Sequence, residues 1–204
     1  MTPSLAGQLA VLTGAGREPG AGLALALGRA GARVVLVDLN PAAVQRVADT
    51  LTAAGAEADV QIVDVANKLA VQTLLYTLLE AHPRLDLLIN AASHAPRTPA
   101  LRLDEAEWNR TLDVTLKGAF LMAQTMARAM QATGGGVIIN VLRPEAELPA
   151  ALRAATAGLR ALTAALAVEW APLGVRVAAL SVGEPAAAAA ALFQLLAAPQ
   201  AAEG

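Results

Sequence analysis

Between Leu9 and Asp38 a short apolar stretch runs into a glycine-rich turn, Thr13-Gly14-Ala15-Gly16-Arg17-Glu18-Pro19-Gly20-Ala21-Gly22. An alanine- and leucine-rich stretch follows, then a second apolar run, Val34-Val35-Leu36-Val37, closed by Asp38. Strand, tight turn, helix, strand and terminal carboxylate in that order leave few folds open. Glycines let the backbone turn sharply and approach an anion, and the start of the helix offers unpaired N–H groups and a positive dipole end. An acid at the tip of the next strand can accept the hydroxyls of a ribose. The spacing therefore predicts a βαβ unit with the geometry of a dinucleotide site. Gly14, Arg17, Gly20, Gly22 and Asp38, with Leu39 beside it, are its first candidate binding residues. For Asp38 a helix-capping or solvated strand-end role stands as the alternative.

The same alternation continues to the end of the chain and predicts parallel strands joined by helical crossovers. Strands are expected at Leu9–Thr13, Arg33–Val37, Ala58–Val63, Leu85–Asn90, Gly136–Val141 and Val175–Leu180. Helices are expected at about Gly20–Ala30, Pro41–Ala54, Lys68–His82, Glu105–Gln131 and Pro149–Ala171, with a last one ending near Pro199. The punctuation agrees. Asn40-Pro41 supplies a cap and a first-turn proline, Gly55 closes the same helix, and Ala132-Thr133-Gly134-Gly135-Gly136 separates a long helix from a strand. The expected architecture is α/β: a Rossmann-like, doubly wound parallel sheet of about six strands flanked by helices, in one domain over residues 1–204.

Totals narrow the partners. A net charge of −2 and no basic stripe give no electrostatic reason to expect nucleic acid or an anionic membrane. Zero cysteines exclude disulfides, thiolate metal sites and cysteine nucleophiles, and no metal site is expected. The start, Met1-Thr2-Pro3-Ser4, lacks the basic and apolar regions of a signal peptide. The apolar residues are mostly alanines interrupted by Arg, Asp, Gln or Pro, which disfavours a membrane span. A soluble, cytoplasmic protein is expected.

The order of motifs resembles the short-chain dehydrogenase/reductase family from about Leu5 to Gly183. Asp64-Val65 after the third strand is similar to the pair that brackets the adenine ring. Leu85-Asp86-Leu87-Leu88-Ile89-Asn90-Ala91-Ala92 resembles the family's fourth strand and its Asn-Asn-Ala-Gly turn. Trp108 to Phe120 resembles its long fourth helix. Gly134 to Asn140, Ala157-Gly158-Leu159 and Leu166 to Val177 resemble its fifth strand, fifth helix and sixth strand. The resemblance adds Asp64, Val65, Asn90 and Ala91 to the cofactor-binding candidates and implies a nicotinamide dinucleotide. Because Asp38 repels a 2′-phosphate, NAD is expected over NADP.

The departures fall on the chemistry. In the family a tyrosine transfers the proton, a lysine four residues later lowers its pKa, a serine orients the carbonyl and an asparagine completes a water relay. Aligned on Ala157-Gly158, those positions hold Leu152, Thr156, about Arg143, and Thr115. No catalytic residue is therefore assigned. Tyr76, the one tyrosine, is expected to be a core or rim aromatic. His94, after the fourth strand, is the best-placed replacement acid, with an exposed loop histidine as the alternative. Arg143 can bind an anion at the strand's carboxyl edge or pair with Glu145 or Glu147. The phosphate loop reads as lengthened by about two residues at Glu18-Pro19, where Glu18 places negative charge against the phosphates and Pro19 removes a donor. Arg17 can offset this by reaching a phosphate. After Gly183 no counterpart of the family's substrate lid and seventh strand is expected.

Two functions follow as expectations. The first is a noncatalytic dinucleotide-binding or partner subunit, paired as a homodimer or with a related subunit through the fourth and fifth helices. There Ala150, Ala151, Ala154, Ala155, Ala161, Ala164, Ala165 and Leu166 permit close packing, or simply pack within the monomer. The alternative is an NAD-dependent oxidoreductase acting on a small alcohol or carbonyl with a non-standard proton donor.

Overall fold

The structure, a computed structural model, describes residues 3–144, 148–183 and 185–198. Its centre is a parallel sheet of six strands: β1 (Leu9–Thr13), β2 (Arg33–Asp38), β3 (Ala58–Ile62), β4 (Leu87–Asn90), β5 (Gly136–Leu142) and β6 (Val175–Ser181). The order across the sheet is β3-β2-β1-β4-β5-β6, the doubly wound arrangement expected from the sequence. Helices α1 (Gly20–Arg29), α2 (Pro41–Ala53), α3 (Lys68–Ala81), α4 (Glu105–Leu112), α5 (Gly118–Ala132), α6 (Ala150–Trp170) and α7 (Pro185–Ala197) provide the connections.

Both faces of the sheet are covered, which is why its strands read as continuous apolar runs. Alternate residues serve opposite cores. Ala10, Leu12, Val34 and Leu36 pack with Leu23, Leu27, Val44, Leu51 and Leu192 of α1, α2 and α7. Leu9, Val11, Val35 and Val37 pack with Leu74, Met122, Met126, Leu166 and Trp170 of α3, α5 and α6. The caps work as their residue types predict: Asn40 Oδ1 accepts the Ala43 N–H at 3.0 Å with Pro41 in the first turn, and Asp104 Oδ1 accepts the Glu107 N–H at 2.7 Å. At the far end Arg176 of β6 donates to the Leu195 and Leu196 carbonyls, at 2.5 and 3.3 Å, and so holds the last turn of α7.

Three expectations change. The single helix over Glu105–Gln131 is interrupted: α4 ends at Leu112, a π-helical turn runs from Asp113 to Lys117, and α5 begins at Gly118. Tyr76 lies neither in the core nor at its rim but on the outer face of α3, 71% exposed, because the buried stripe of that helix runs through Val71, Leu74 and Leu78. The eight residues expected to permit close packing, all on α6, divide: Ala151, Ala155 and Leu166 are buried within the chain, while Ala150, Ala154, Ala161, Ala164 and Ala165 are exposed. One segment, Ala150–Leu173, is long and apolar enough to cross a membrane by length and composition. Here it carries Arg153, Arg160 and Glu169 and lies with one face against the protein core. The sheet has six strands among the described residues; Glu145, Glu147 and Pro199 lie outside them.

Candidate nucleotide site

Strand order reverses between β1 and β4, so the loops leaving their carboxyl ends diverge and open a crevice, the place where α/β sheets of this kind bind ligands. Short contacts hold its floor. The Thr13 hydroxyl accepts the N–H groups of Ala91 and Ala92 at 3.2 and 3.3 Å, tying the end of β1 to the turn after β4. Asp38 Oδ2 accepts the Gly16 N–H at 2.8 Å and its Oδ1 the Asn40 N–H at 2.9 Å, tying the glycine loop to the end of β2. Gly14 has φ +69°, and a Cβ there would stand 2.7 Å from the backbone N and Cα of Ala92. Gly20 opens α1 where a Cβ would meet the Gly14 carbonyl oxygen at 2.3 Å. These glycines are needed for backbone packing as well as for any ligand.

The resulting cleft has a volume of about 180 Å³. That is small beside the 300–1,000 Å³ of pockets that enclose a whole ligand. Gly14, Arg17, Asp38, Leu39, Asp64, Val65 and Ala91 line it together, with Glu18, Val37, Asn40, Val63, Ala92, Ser93, His94, Arg110 and Val114. The other three sequence candidates sit elsewhere. Gly20 is buried behind Gly14, and Gly22 faces Glu18, whose Oε2 accepts its N–H at 3.3 Å. Asn90 is 3% exposed and belongs to the core: its amide N–H groups donate to Asn140 Oδ1 at 2.9 Å and to the Ala119 carbonyl at 3.3 Å. The chain of bonds continues from Asn140 to the Thr163 hydroxyl at 2.9 Å and on to the Leu159 carbonyl at 2.6 Å.

Asp38 anchors the glycine loop and the start of α2 and also lines the cleft. A lining residue that the sequence did not single out is Arg110 of α4.

The positions matched to the family's proton-transfer groups lie deeper. Leu152 and Thr156 are 1% and 2% exposed on the inner face of α6. Thr115 sits in the π-turn, 4% exposed, and its hydroxyl accepts the His94 N–H at 3.2 Å, fixing the loop after β4. Interruptions of this kind mark functional segments in many helices. The His94 ring, half-buried in the cleft wall, has its pKa lowered below 6.5, first by burial and then by the Arg110 guanidinium; Glu107 opposes this and Arg17 adds to it. Burial and the neighbouring guanidiniums thus favour the neutral imidazole. No cluster of residues fit to hold a metal ion occurs among the described residues.

A glycine loop between a parallel strand and a helix, an acid at the tip of the next strand and a cleft at the switch point define a Rossmann-like α/β protein. The particular family is shown by comparison: the family model for short chain dehydrogenases matches residues 8–192, and the chain belongs to that family. It is 35% identical over 137 residues to D-threitol dehydrogenase of Mycolicibacterium smegmatis, covering 67% of this chain and 53% of that protein. To the NAD-dependent glycerol dehydrogenase of Listeria innocua it is 34% identical over 135 residues, 66% of this chain and 52% of the other. Among solved structures, a metagenomic short-chain oxidoreductase in complex with NADP superposes with a TM-score of 0.89 at 33% identity, covering 97% of this chain and 94% of that one. The chain spans about half the length of the curated relatives it matches.

Proposed function

We propose that the protein is a nicotinamide-dinucleotide-dependent oxidoreductase of the short-chain type, acting on a small alcohol or its carbonyl, with His94 as the proton-transfer group. The observation that carries this reading is the cleft itself. Asp38, Leu39, Asp64, Val65 and Ala91, the residues assigned in this reading to the adenosine, line it together with His94 and Arg110. The bound dinucleotide supplies hydride acceptance and donation; the chain supplies orientation and proton traffic. A neutral His94 imidazole can take the hydroxyl proton of an alcohol during oxidation and return it during reduction. The polyol substrates named for the two dehydrogenases above guide the choice of test compounds. NAD is the favoured cofactor, since the Asp38 carboxylate opposes a 2′-phosphate; NADP, carried by the metagenomic relative, is the comparison to run.

The test is turnover of small polyols with NAD or NADP, followed by the absorbance of the reduced nicotinamide. Loss of a general base lowers kcat by about 10²–10⁴, so His94→Ala falls by that factor. Unchanged kcat in His94→Ala overturns the assignment of His94.

A noncatalytic dinucleotide-binding subunit is the second reading, and one observation favours it: Leu152 and Thr156 carry no group that titrates near neutral pH and are buried. Its docking face is the apolar groove formed by Leu112, Leu116, Phe120, Gly158 and Leu162, continuous with the exposed alanines of α6. The partner is a second copy or a related subunit meeting the same face. Sedimentation as a monomer at micromolar concentration counts against it, and polyol turnover by the isolated chain rules it out. The dehydrogenase relatives support the oxidoreductase reading over this one.

A further inference from the structure

Resting on the dinucleotide reading above, we infer that the anion seat of this cleft is a pair of arginine side chains, Arg17 and Arg110, rather than the amino end of α1, and that it takes the pyrophosphate of the ligand. The carboxylates of the cleft wall are already engaged. Asp38 accepts from Gly16 and Asn40, Asp64 Oδ1 accepts from Ala66 at 2.9 Å, and Glu18 accepts from Gly22. The two guanidiniums in the same wall have no hydrogen bond or ion pair among the described residues. A cleft with its anions satisfied by backbone N–H groups and its cations unpaired is set up to receive negative charge.

The usual seat is closed by the chain itself. Glu18 folds back over the first turn of α1, and a Cβ on Gly22 would come within 2.9 Å of its Oε2, so the carboxylate lies against the helix end that would otherwise face a phosphate. Other N–H groups of that turn are spent: Ala21 donates to the Arg17 carbonyl and Leu23 to that of Pro19, both at 3.0 Å. Arg17 stands on the glycine loop and Arg110 on α4, and both line the same cleft, so the two charges share one space. Guanidiniums are suited to this task because their fork of N–H donors matches phosphate oxygens two at a time.

Inorganic pyrophosphate is the direct probe, measured by calorimetric titration of the intact protein at low salt, with NAD and NADP alongside. Arg17→Ala and Arg110→Ala are both exposed substitutions whose folding is checked by circular dichroism. Each is expected to weaken pyrophosphate and NAD about ten- to hundredfold, the worth of a hydrogen bond to a charged group. Glu18→Gly, which frees the helix end, is expected to change pyrophosphate affinity about fivefold or less, as for one solvated charge.

The inference is overturned by no pyrophosphate binding by the wild-type protein, by Arg110→Ala binding as tightly as wild type, or by a gain of a hundredfold in Glu18→Gly. Loss confined to NADP in Arg110→Ala also overturns it, because it places the guanidinium on the 2′-phosphate. Pyrophosphate binding that needs both arginines, with no binding of either dinucleotide, upholds the seat and instead refutes the dinucleotide reading.

Discussion

Gly14→Ala tests whether the floor of the cleft is set by backbone packing. Two costs are separable. At φ +69° an alanine side chain is strained by about 1–2 kcal/mol. Its Cβ would also stand 2.7 Å from Ala92 N and Cα and 2.8 Å from the Ala91 carbonyl carbon. These are backbone atoms held by two hydrogen bonds to Thr13, so no side-chain rotation relieves the overlap, and overpacking of this sort costs about 1–3 kcal/mol more. The sum, about 2–5 kcal/mol, lowers Tm by about 4–20 °C at the 2–4 °C per kcal/mol usual for a domain of this size. Gly55→Ala is the control: φ is +79° but nothing lies within 4 Å of the added Cβ, so only the strain remains, about 1–2 kcal/mol and about 2–8 °C. Calorimetric unfolding of both variants gives the difference. A Gly14→Ala protein no less stable than Gly55→Ala refutes the close-approach argument and frees this glycine for a purely ligand-facing role.

Other perturbations follow the same reasoning. His94 has a folded pKa below its ordinary value of 6.5, so the unfolded chain binds the proton first; its contribution to stability is complete above pH 6.5 and is lost as pH falls below it. Denaturant titrations from pH 8 to pH 5 are expected to show that slope in wild type and a shallower one in His94→Gln. Arg176→Gln removes the charged donors on the end of α7 and is expected to cost about 1–3 kcal/mol, with faster amide exchange confined first to α7. Asn140→Ala breaks the chain from Asn90 to Thr163 where Asn90 Oδ1 already has no partner, and is expected to cost about 1–3 kcal/mol in urea unfolding.

What the sequence made legible is what depends on neighbours along the chain. The βαβ unit, the cap at Asn40, and Asp38 at the tip of β2 all follow from local residue type and period. The misses depend on contacts between distant segments. Nothing in Asp113-Val114-Thr115-Leu116-Lys117 announces a π-turn. It forms where Thr115 meets the His94 N–H and where Gly118 passes so close to Val65 that a Cβ would stand 2.7 Å from its side chain. Asn90 reads as a turn residue, and its amide bond to Asn140, fifty residues on, has no signal along the chain. Glu18 reads as misplaced charge. Only in three dimensions does its carboxylate settle on Gly22, leaving Arg17 and Arg110 to face the cleft.

Thermal unfolding with NAD, NADH, NADP or NADPH shows whether this cleft holds a nicotinamide dinucleotide. A ligand that binds the folded protein at a hundred times its Kd adds about 2.7 kcal/mol by mass action, or about 5–11 °C in Tm for a chain of this length. The account predicts a rise of that order with NAD or NADH, smaller with the phosphorylated pair, and reduced in Asp38→Ala. An unchanged midpoint with all four dinucleotides at millimolar concentration contradicts it.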